Sequence, residues 1–328
     1  MLNKSIIIFL LLALILSGCG VNAAAANDGR IRVVATIFAP YDFTRQIAGD
    51  NADITMLLQP GGDVKSFEPS PQDIIRIQNS DVFIHVGGEF WVESILSSMD
   101  TSNMIIVRMM DYVELLREEV VPGMDFTQPN IPTNFNPSWC AVCEDELVHF
   151  YKDVYDEHVW TSPRNAILIA QGIRDALTRA NPEIYQVLEQ NTTDFIAQLE
   201  QLDDAFREIV ESGPRNTIVF GDRFPFRYFV HAYGIEYYAA LPGCSSTTEP
   251  SAATVAFLIN KIIDEGIPVV LHAEMSNQRL ANTIAEATGA NVRLMHAAHN
   301  VSRDEFHSGV TYIELMTQNI EALREALQ

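Results

Sequence analysis

The sequence is short of positive charge. Lys and Arg number 21 against 43 Asp and Glu in 328 residues, which gives a formal net charge of −22 at neutral pH. A field of this sign repels nucleic acid and attracts cations, so we expect no nucleic-acid partner. On charge alone, an ordinary solvated acidic surface would explain the excess equally well.

Signatures of catalysis are also missing. The sequence contains no nucleophile elbow, no P-loop and no HExxH motif, each of which sets a reactive group or a phosphate cradle in a recognisable local context. We therefore expect a binding protein rather than an enzyme. After the amino-terminal segment, no apolar run approaches the roughly 20 residues that a membrane-spanning helix needs.

The one long apolar run lies at the amino end. Residues 6–16 follow Lys4 and precede Ser17, Gly18 and Cys19. This run is too short to cross a bilayer but suits the core of a secretory signal. Small residues ending in cysteine look like a bacterial lipoprotein cleavage site, which predicts a signal peptide over residues 1–18, a lipidated Cys19 and a flexible tether over residues 19–30. The alternative is an ordinary signal peptide with an incidental cysteine.

Cysteine is scarce in the remaining sequence. Cys140 and Cys143 lie in an irregular, proline-rich stretch, residues 121–156, which we interpret as a surface loop, and Cys244 follows much later. The Cys140–Cys143 pair is compatible with an accessory metal clip, a redox-sensitive pair or a local disulfide. One CxxC without a second pair is weak evidence for zinc, so these alternatives stay open.

The rest of the sequence alternates β-rich runs with helical periodicity. Ser70, Pro71 and Asp73 resemble a helix start, which predicts a helix to about Asn79, and the apolar residues between 185 and 209 recur at helical spacing. Predicted strands cover residues 31–37, 53–58, 81–86 and 104–107 in the first half and 217–220, 237–241, 268–272 and 292–295 in the second. This order favours an α/β fold of two lobes, each a mostly parallel sheet flanked by helices. We expect an amino-terminal lobe over residues 31–180, one long linker helix over 181–212 and a carboxy-terminal lobe over 213–328.

Several short segments stand in the order of a known family. They are VVATIFAPYDF (33–43), LLQPGGD (57–63), SFEPSP (66–71), DEHVW (156–160), EPS (249–251) and TGA (288–290). With them the chain resembles the zinc and manganese solute-binding proteins of bacterial ABC importers, which have the cluster A fold. The resemblance implies a monomer, lipid-anchored at the outer face of the cytoplasmic membrane. It would capture Zn²⁺ or Mn²⁺ in the interlobe cleft and deliver the ion to an ABC permease.

The resemblance also implies where ligands should lie. Family members hold the ion with three histidines and a carboxylate, or with two of each. Lys65 stands at the first histidine position, and a protonated amine has no lone pair to offer a metal. His158 matches the second. The third position falls on Gly221 or Arg223, depending on whether the preceding strand or the following helix is aligned, with Asp222 between them.

The fourth position, usually an aspartate, falls on His296. We therefore predict that the rings of His158 and His296 converge on the ion, with Asp222, Glu274 and His299 as further candidate ligands. Imidazole suits Zn²⁺, whereas Mn²⁺ accepts more oxygen.

Two alternatives to free-metal capture remain open. Lys65 and Arg223, with His158 and His296, would also suit a cationic pocket for an anion or an anionic metal chelate. The second alternative is a surface adhesin that keeps the fold but has a degenerate metal site. Stoichiometric metal binding that is lost on His158→Ala would favour a transport receptor.

Overall fold

A computed structural model describes residues 29–124, 154–243 and 249–328 of the protein. Residues 31–328 form one compact unit. Cys19, Cys140, Cys143 and Cys244 lie outside the described residues, as do the predicted signal peptide and most of the tether. None of the helices in the described ranges combines the length and apolarity that crossing a membrane requires.

The first lobe is built on a parallel sheet with strand order β2-β1-β3-β4. Its strands are β1 (Ile31–Ala35), β2 (Ala52–Met56), β3 (Val82–His85) and β4 (Ile105–Arg108), and its helices are α1 (Phe38–Ala48), α2 (Pro71–Gln78) and α3 (Phe90–Ser97). β3 is fully buried, as its near-continuous apolar run predicts for a central parallel strand.

Helix α2 begins where its sequence predicts. Ser70 accepts a hydrogen bond from the backbone of Asp73, whose carboxylate bonds back to the Ser70 amide, and Pro71 occupies the first turn. This capping box satisfies amides that the first turn of a helix leaves without intrahelical partners.

The second lobe repeats the architecture with strand order β6-β5-β7-β8, again all parallel. Its strands are β5 (Thr217–Phe224), β6 (Glu236–Pro242), β7 (Val269–His272) and β8 (Asn291–Leu294). Its helices are α6 (Arg227–Tyr233), α7 (Ala252–Glu265), α8 (Arg279–Thr288), α9 (Arg303–Ser308) and α10 (Tyr312–Leu327), and α4 and α5 of the connection precede them.

The connection between the lobes contains α4 (Pro163–Ala180) and α5 (Tyr185–Ser212). A short 3-10 turn over Pro182–Ile184 precedes the 28-residue α5, which at 1.5 Å per residue is about 42 Å long. One stripe of α5 is buried, formed by Leu188, Phe195, Leu199, Leu202, Phe206 and Ile209. This stripe is the one that the helical spacing of apolar residues predicts.

The lobes are hydrogen-bonded to one another beside the carboxyl ends of the strands. Phe38 N donates to His299 O at 3.1 Å, and Gly61 N donates to Val301 O at 2.7 Å. Asn300 Nδ2 donates to two carbonyl groups of the turn around Gly61, at 2.9 and 2.8 Å. We call these four hydrogen bonds the interlobe seam.

The structure departs from the predicted elements in three places. Helices α3 and α9 fall in stretches for which the sequence analysis predicts no element. Strand β5 continues four residues beyond the predicted end at Phe220, through a bulge between Phe220 and Arg223 where its register with β6 shifts. A bulge lets a strand change the direction of its side chains and continue pairing.

Candidate metal-binding site

Two histidine rings meet at the carboxyl end of the second sheet. The ring centroids of His158 and His299 lie 5.4 Å apart with an interplanar angle of 83°. Trp160 packs against both, at 5.6 Å from His158 and 5.1 Å from His299. His158 is 2% exposed and Trp160 is fully buried, so the pair borders a region from which bulk water is largely excluded.

Asp156 orients the His158 ring. Asp156 Oδ1 accepts a hydrogen bond from the backbone amide of His158 at 2.7 Å and lies 3.1 Å from His158 Nδ1. Burial alone would raise the pKa of Asp156, but the His158 ring and the hydrogen bonds from His158 outweigh it and hold the pKa below its usual value. A carboxylate on one ring nitrogen fixes the ring and leaves Nε2 as the donor for a metal.

The ends of β5 and β6 close against this histidine. Gly243 N donates to Glu118 Oε1 at 2.9 Å. A methyl group at Gly243 would lie 2.6 Å from the carbonyl oxygen of Phe224, 3.1 Å from His158 Cε1 and 3.3 Å from Asp156 Oδ2. Glycine is therefore the residue that allows this close approach of backbone to ring.

Glu274 and His296 are hydrogen-bonded to the backbone of the turn that carries His299. Glu274 Oε2 accepts from Ala297 N at 2.7 Å, and Oε1 accepts from His299 N at 2.8 Å. His296 Nδ1 accepts from Ala298 N at 2.9 Å and lies 3.8 Å from Glu274 Oε2. Burial alone would raise the pKa of Glu274, but the nearby His296 ring, these backbone amides and the His299 ring hold the pKa below its usual value.

The remaining predicted residues lie on β5 and in the first lobe. Asp222 Oδ1 accepts from the backbone amide of Arg223 at 2.8 Å, and Arg223 stands in register with Leu241 just after the bulge. Both are half-buried. Lys65 lies in the 3-10 turn Val64–Ser66, and its side chain is outside what the structure describes.

Of the predicted site residues, the structure therefore brings together His158 and His299 as a ring pair, and Glu274 and His296 are hydrogen-bonded to the turn that carries His299. Within residues 29–124, 154–243 and 249–328, no group of three or more His, Cys, Asp or Glu side chains is arranged to hold a metal ion. Asp156 was not among the site residues predicted from the sequence, whereas Trp160 was predicted to line the cleft. The Asp-x-His spacing in DEHVW was the available signal for Asp156.

Comparisons with known proteins agree with this architecture. A protein-family model described as "ZnuA: Zinc-uptake complex component A periplasmic" matches residues 33–326. The zinc-binding lipoprotein AdcA of Streptococcus pneumoniae is 28% identical over 323 residues, 98% of this chain and 60% of AdcA. The high-affinity zinc uptake system protein ZnuA of Bacillus subtilis is 26% identical over 320 residues, 96% of this chain and 94% of ZnuA. The chain thus spans about 60% of the length of AdcA.

Solved structures show the same fold. The Zn(II)-bound ZnuA-like domain of S. pneumoniae AdcA superposes with a TM-score of 0.70 at 26% identity, over 91% of this chain and 99% of that domain. The metal-dependent lipoprotein YcdH of B. subtilis gives 0.73 at 25% identity, over 91% and 100%. The laminin-binding protein Lmb of Streptococcus agalactiae gives 0.71 at 21% identity, over 91% and 100%, a likeness that concerns the fold alone.

Proposed function

The chain belongs to the zinc-uptake component A family, and on that premise we propose that it captures Zn²⁺ outside the cytoplasmic membrane and delivers it to the permease of an ABC importer. The relatives named for zinc uptake support this proposal. Within the chain itself, one observation carries it, the contact between the His158 and His299 rings.

The spacing of these rings suits a shared zinc ion. With a Zn–N bond of about 2.0–2.1 Å, each ring centre lies about 3.2 Å from the ion, and two rings at the tetrahedral angle of about 109° have centres about 5.2 Å apart. The observed separation is 5.4 Å. The separation of the ring centres therefore matches that of two imidazoles bound to one tetrahedral ion.

The surroundings favour zinc over manganese. The two imidazoles are nitrogen ligands, which Zn²⁺ prefers, whereas Mn²⁺ prefers carboxylate oxygens. Glu274 directs both of its carboxylate oxygens to backbone amides. The excess of 43 acidic over 21 basic residues draws cations towards the protein as a whole.

Cys19 carries the proposed anchor. A lipid on this residue would hold a monomeric receptor at the outer face of the cytoplasmic membrane, within reach of its permease. The relative AdcA is named a lipoprotein, which supports this placement.

A zinc chelate is the second candidate ligand, because the described residues lack a third protein donor beside the two rings. A structural zinc site uses four protein ligands, so donors carried by a chelator would complete the coordination. Lys65 and Arg223, which stand at ligand positions of the resembled family, would favour a chelate with negative charge.

Calorimetric titration of the purified, metal-stripped protein tests the proposal. We expect one Zn²⁺ per chain in the wild type, a large loss of affinity in His158→Ala and in His299→Ala, and weaker binding of Mn²⁺. His231→Ala, which removes an exposed histidine on α6, is the matched control. Zinc binding that is equal in all four proteins would refute the site. Binding of zinc citrate but not of zinc chloride would select the chelate.

A further inference from the structure

The turn that presents His299 is held through its backbone amides. Glu274 accepts hydrogen bonds from the amides of Ala297 and His299, at 2.7 and 2.8 Å. The Nδ1 atom of His296 accepts from the amide between them, that of Ala298, at 2.9 Å. Three successive backbone donors are thus satisfied by two side chains, one of which comes from the end of a neighbouring strand.

Carbonyl groups of the same turn are also fixed. The indole nitrogen of Trp160 donates to Ala297 O at 2.7 Å, and Phe38 N from the first lobe donates to His299 O at 3.1 Å. Ala298 has a φ of 56°, in the left-handed region that residues other than glycine rarely adopt. A strained residue persists where its surroundings determine its conformation, and such residues cluster at functional sites.

We propose that Glu274 and His296 are positioning residues, which hold this turn so that the His299 ring faces His158, and that neither is a ligand of the captured ion. The inference rests on the proposed metal-binding function for the effect on Zn²⁺ affinity. The hydrogen bonds that position the turn are present in the protein without metal.

The donor chemistry of both side chains agrees with this role. Each oxygen of Glu274 is committed to a backbone amide, and a metal bond would compete with those two hydrogen bonds. Because Nδ1 of His296 accepts a hydrogen bond from the Ala298 amide, the ring proton lies on Nε2, and a protonated ring nitrogen has no lone pair for a metal. His296 is 2% exposed, and its Nε2 is buried without a hydrogen-bond partner among the described residues.

The first experiment measures Zn²⁺ affinity in Glu274→Gln. The amide keeps one acceptor oxygen, but its NH₂ group faces a backbone N–H, so one of the two bonds is lost. Loss of an outer-shell partner lowers metal affinity about 10- to 100-fold, and we expect a loss in that range. Asp203→Asn is the control. The Asp203 side chain is about as buried as that of Glu274, at 9% and 5% exposed. It contacts Arg164, Arg207 and Tyr233 and does not bond to the turn.

A double-mutant cycle separates a positioning residue from a ligand. If Glu274 acts through His299, Glu274→Gln has no further effect on Zn²⁺ affinity in the His299→Ala background. Co²⁺ at saturation should give the same visible absorption spectrum in Glu274→Gln as in the wild type. A full additional loss in the double mutant, together with a changed Co²⁺ spectrum, would make Glu274 a ligand and overturn the inference.

A conservative variant tests His296. The side-chain oxygen of asparagine occupies the place of Nδ1, so His296→Asn keeps an acceptor for the Ala298 amide but offers nothing in the place of Nε2. We expect His296→Ala to lose at least about tenfold in Zn²⁺ affinity and His296→Asn to recover most of it. Equal losses in the two variants would overturn the role assigned to His296.

Amide hydrogen exchange in the metal-free protein distinguishes failure of this inference from failure of the proposed function. Glu274→Gln should lose protection at the amides of Ala297 and His299, whereas Asp203→Asn should not. If the wild type binds no metal but this loss is seen, the proposed function fails and the positioning stands. Unchanged protection in Glu274→Gln would refute the positioning, whether or not the wild type binds zinc.

Discussion

Replacement of Trp160 by phenylalanine tests how firmly the second lobe holds the histidine pair. The indole N–H donates to the carbonyl of Ala297 at 2.7 Å inside a fully buried side chain. Phenylalanine cannot donate, so this carbonyl loses its partner, at a cost of about 1–3 kcal/mol. The smaller ring leaves about 40 Å³ unfilled, which adds about 1 kcal/mol at ~24 cal/mol per Å³. We expect Trp160→Phe to lower the free energy of unfolding by about 2–4 kcal/mol.

Urea denaturation followed by far-ultraviolet circular dichroism provides the measurement, since it does not depend on the tryptophan that is removed. Trp91→Phe is the matched control, because Trp91 is only half-buried and packs edge-on against Phe67 at 5.8 Å. A loss below about 1 kcal/mol for Trp160→Phe, within the range of a neutral exchange, would refute the reasoning. A loss equal to that of Trp91→Phe would refute it too, because ring size alone would then explain the change.

Three further predictions follow from the site and its supports. Lys65→His supplies an imidazole at the first ligand position of the family and should strengthen Zn²⁺ binding by about tenfold or more in calorimetry; no gain would place residue 65 outside the site. Gly243→Ala should lower stability by about 1–3 kcal/mol in thermal or urea unfolding, because its methyl group would lie 2.6 Å from a backbone oxygen and 3.1 Å from the His158 ring; an unchanged stability would contradict that close approach. Burial alone would raise the pKa of Glu89, but the nearby His85 ring and hydrogen bonds from two backbone amides hold the pKa below its usual value. Its stabilising effect is therefore present at neutral pH and is lost as the pH falls from about 4.3 through the lower folded pKa. The gap in melting temperature between wild type and Glu89→Gln should therefore close below about pH 4, and a gap that widens with acid would reverse the sign of the argument.

The fold was largely predictable because its signals are local. Alternating strand and helix patterns predicted all eight strands of the two sheets, and the Ser70–Pro71–Asp73 pattern predicted the start of α2. The missed helix α3 has no side-chain cap at its amino end, and its first residue, Phe90, is 98% exposed. A helix that begins without a cap and exposes a large apolar side chain lacks the usual sequence signs of its boundary.

The candidate site was only partly predictable because its geometry depends on contacts that are distant in the sequence. The sequence predicts that His158 converges with His296, whereas the imidazole that the His158 ring contacts in the structure is that of His299. That this imidazole is His299 depends on the left-handed conformation of Ala298. Alanine gives no sign of such a conformation in a sequence, and the groups that enforce it come from β7, from the turn before α4 and from the first lobe. The β5 bulge beside Asp222 was invisible for the same reason, since it is defined by pairing with β6.

The interlobe seam has a consequence for how cargo leaves the protein. His299 contributes its ring to the pair with His158 and its carbonyl oxygen to the bond from Phe38 of the first lobe. A movement that parts the lobes at this seam would therefore also displace the residue that we propose as a zinc ligand. In the proposed receptor, opening of the lobes and release of the ion would then be coupled through His299.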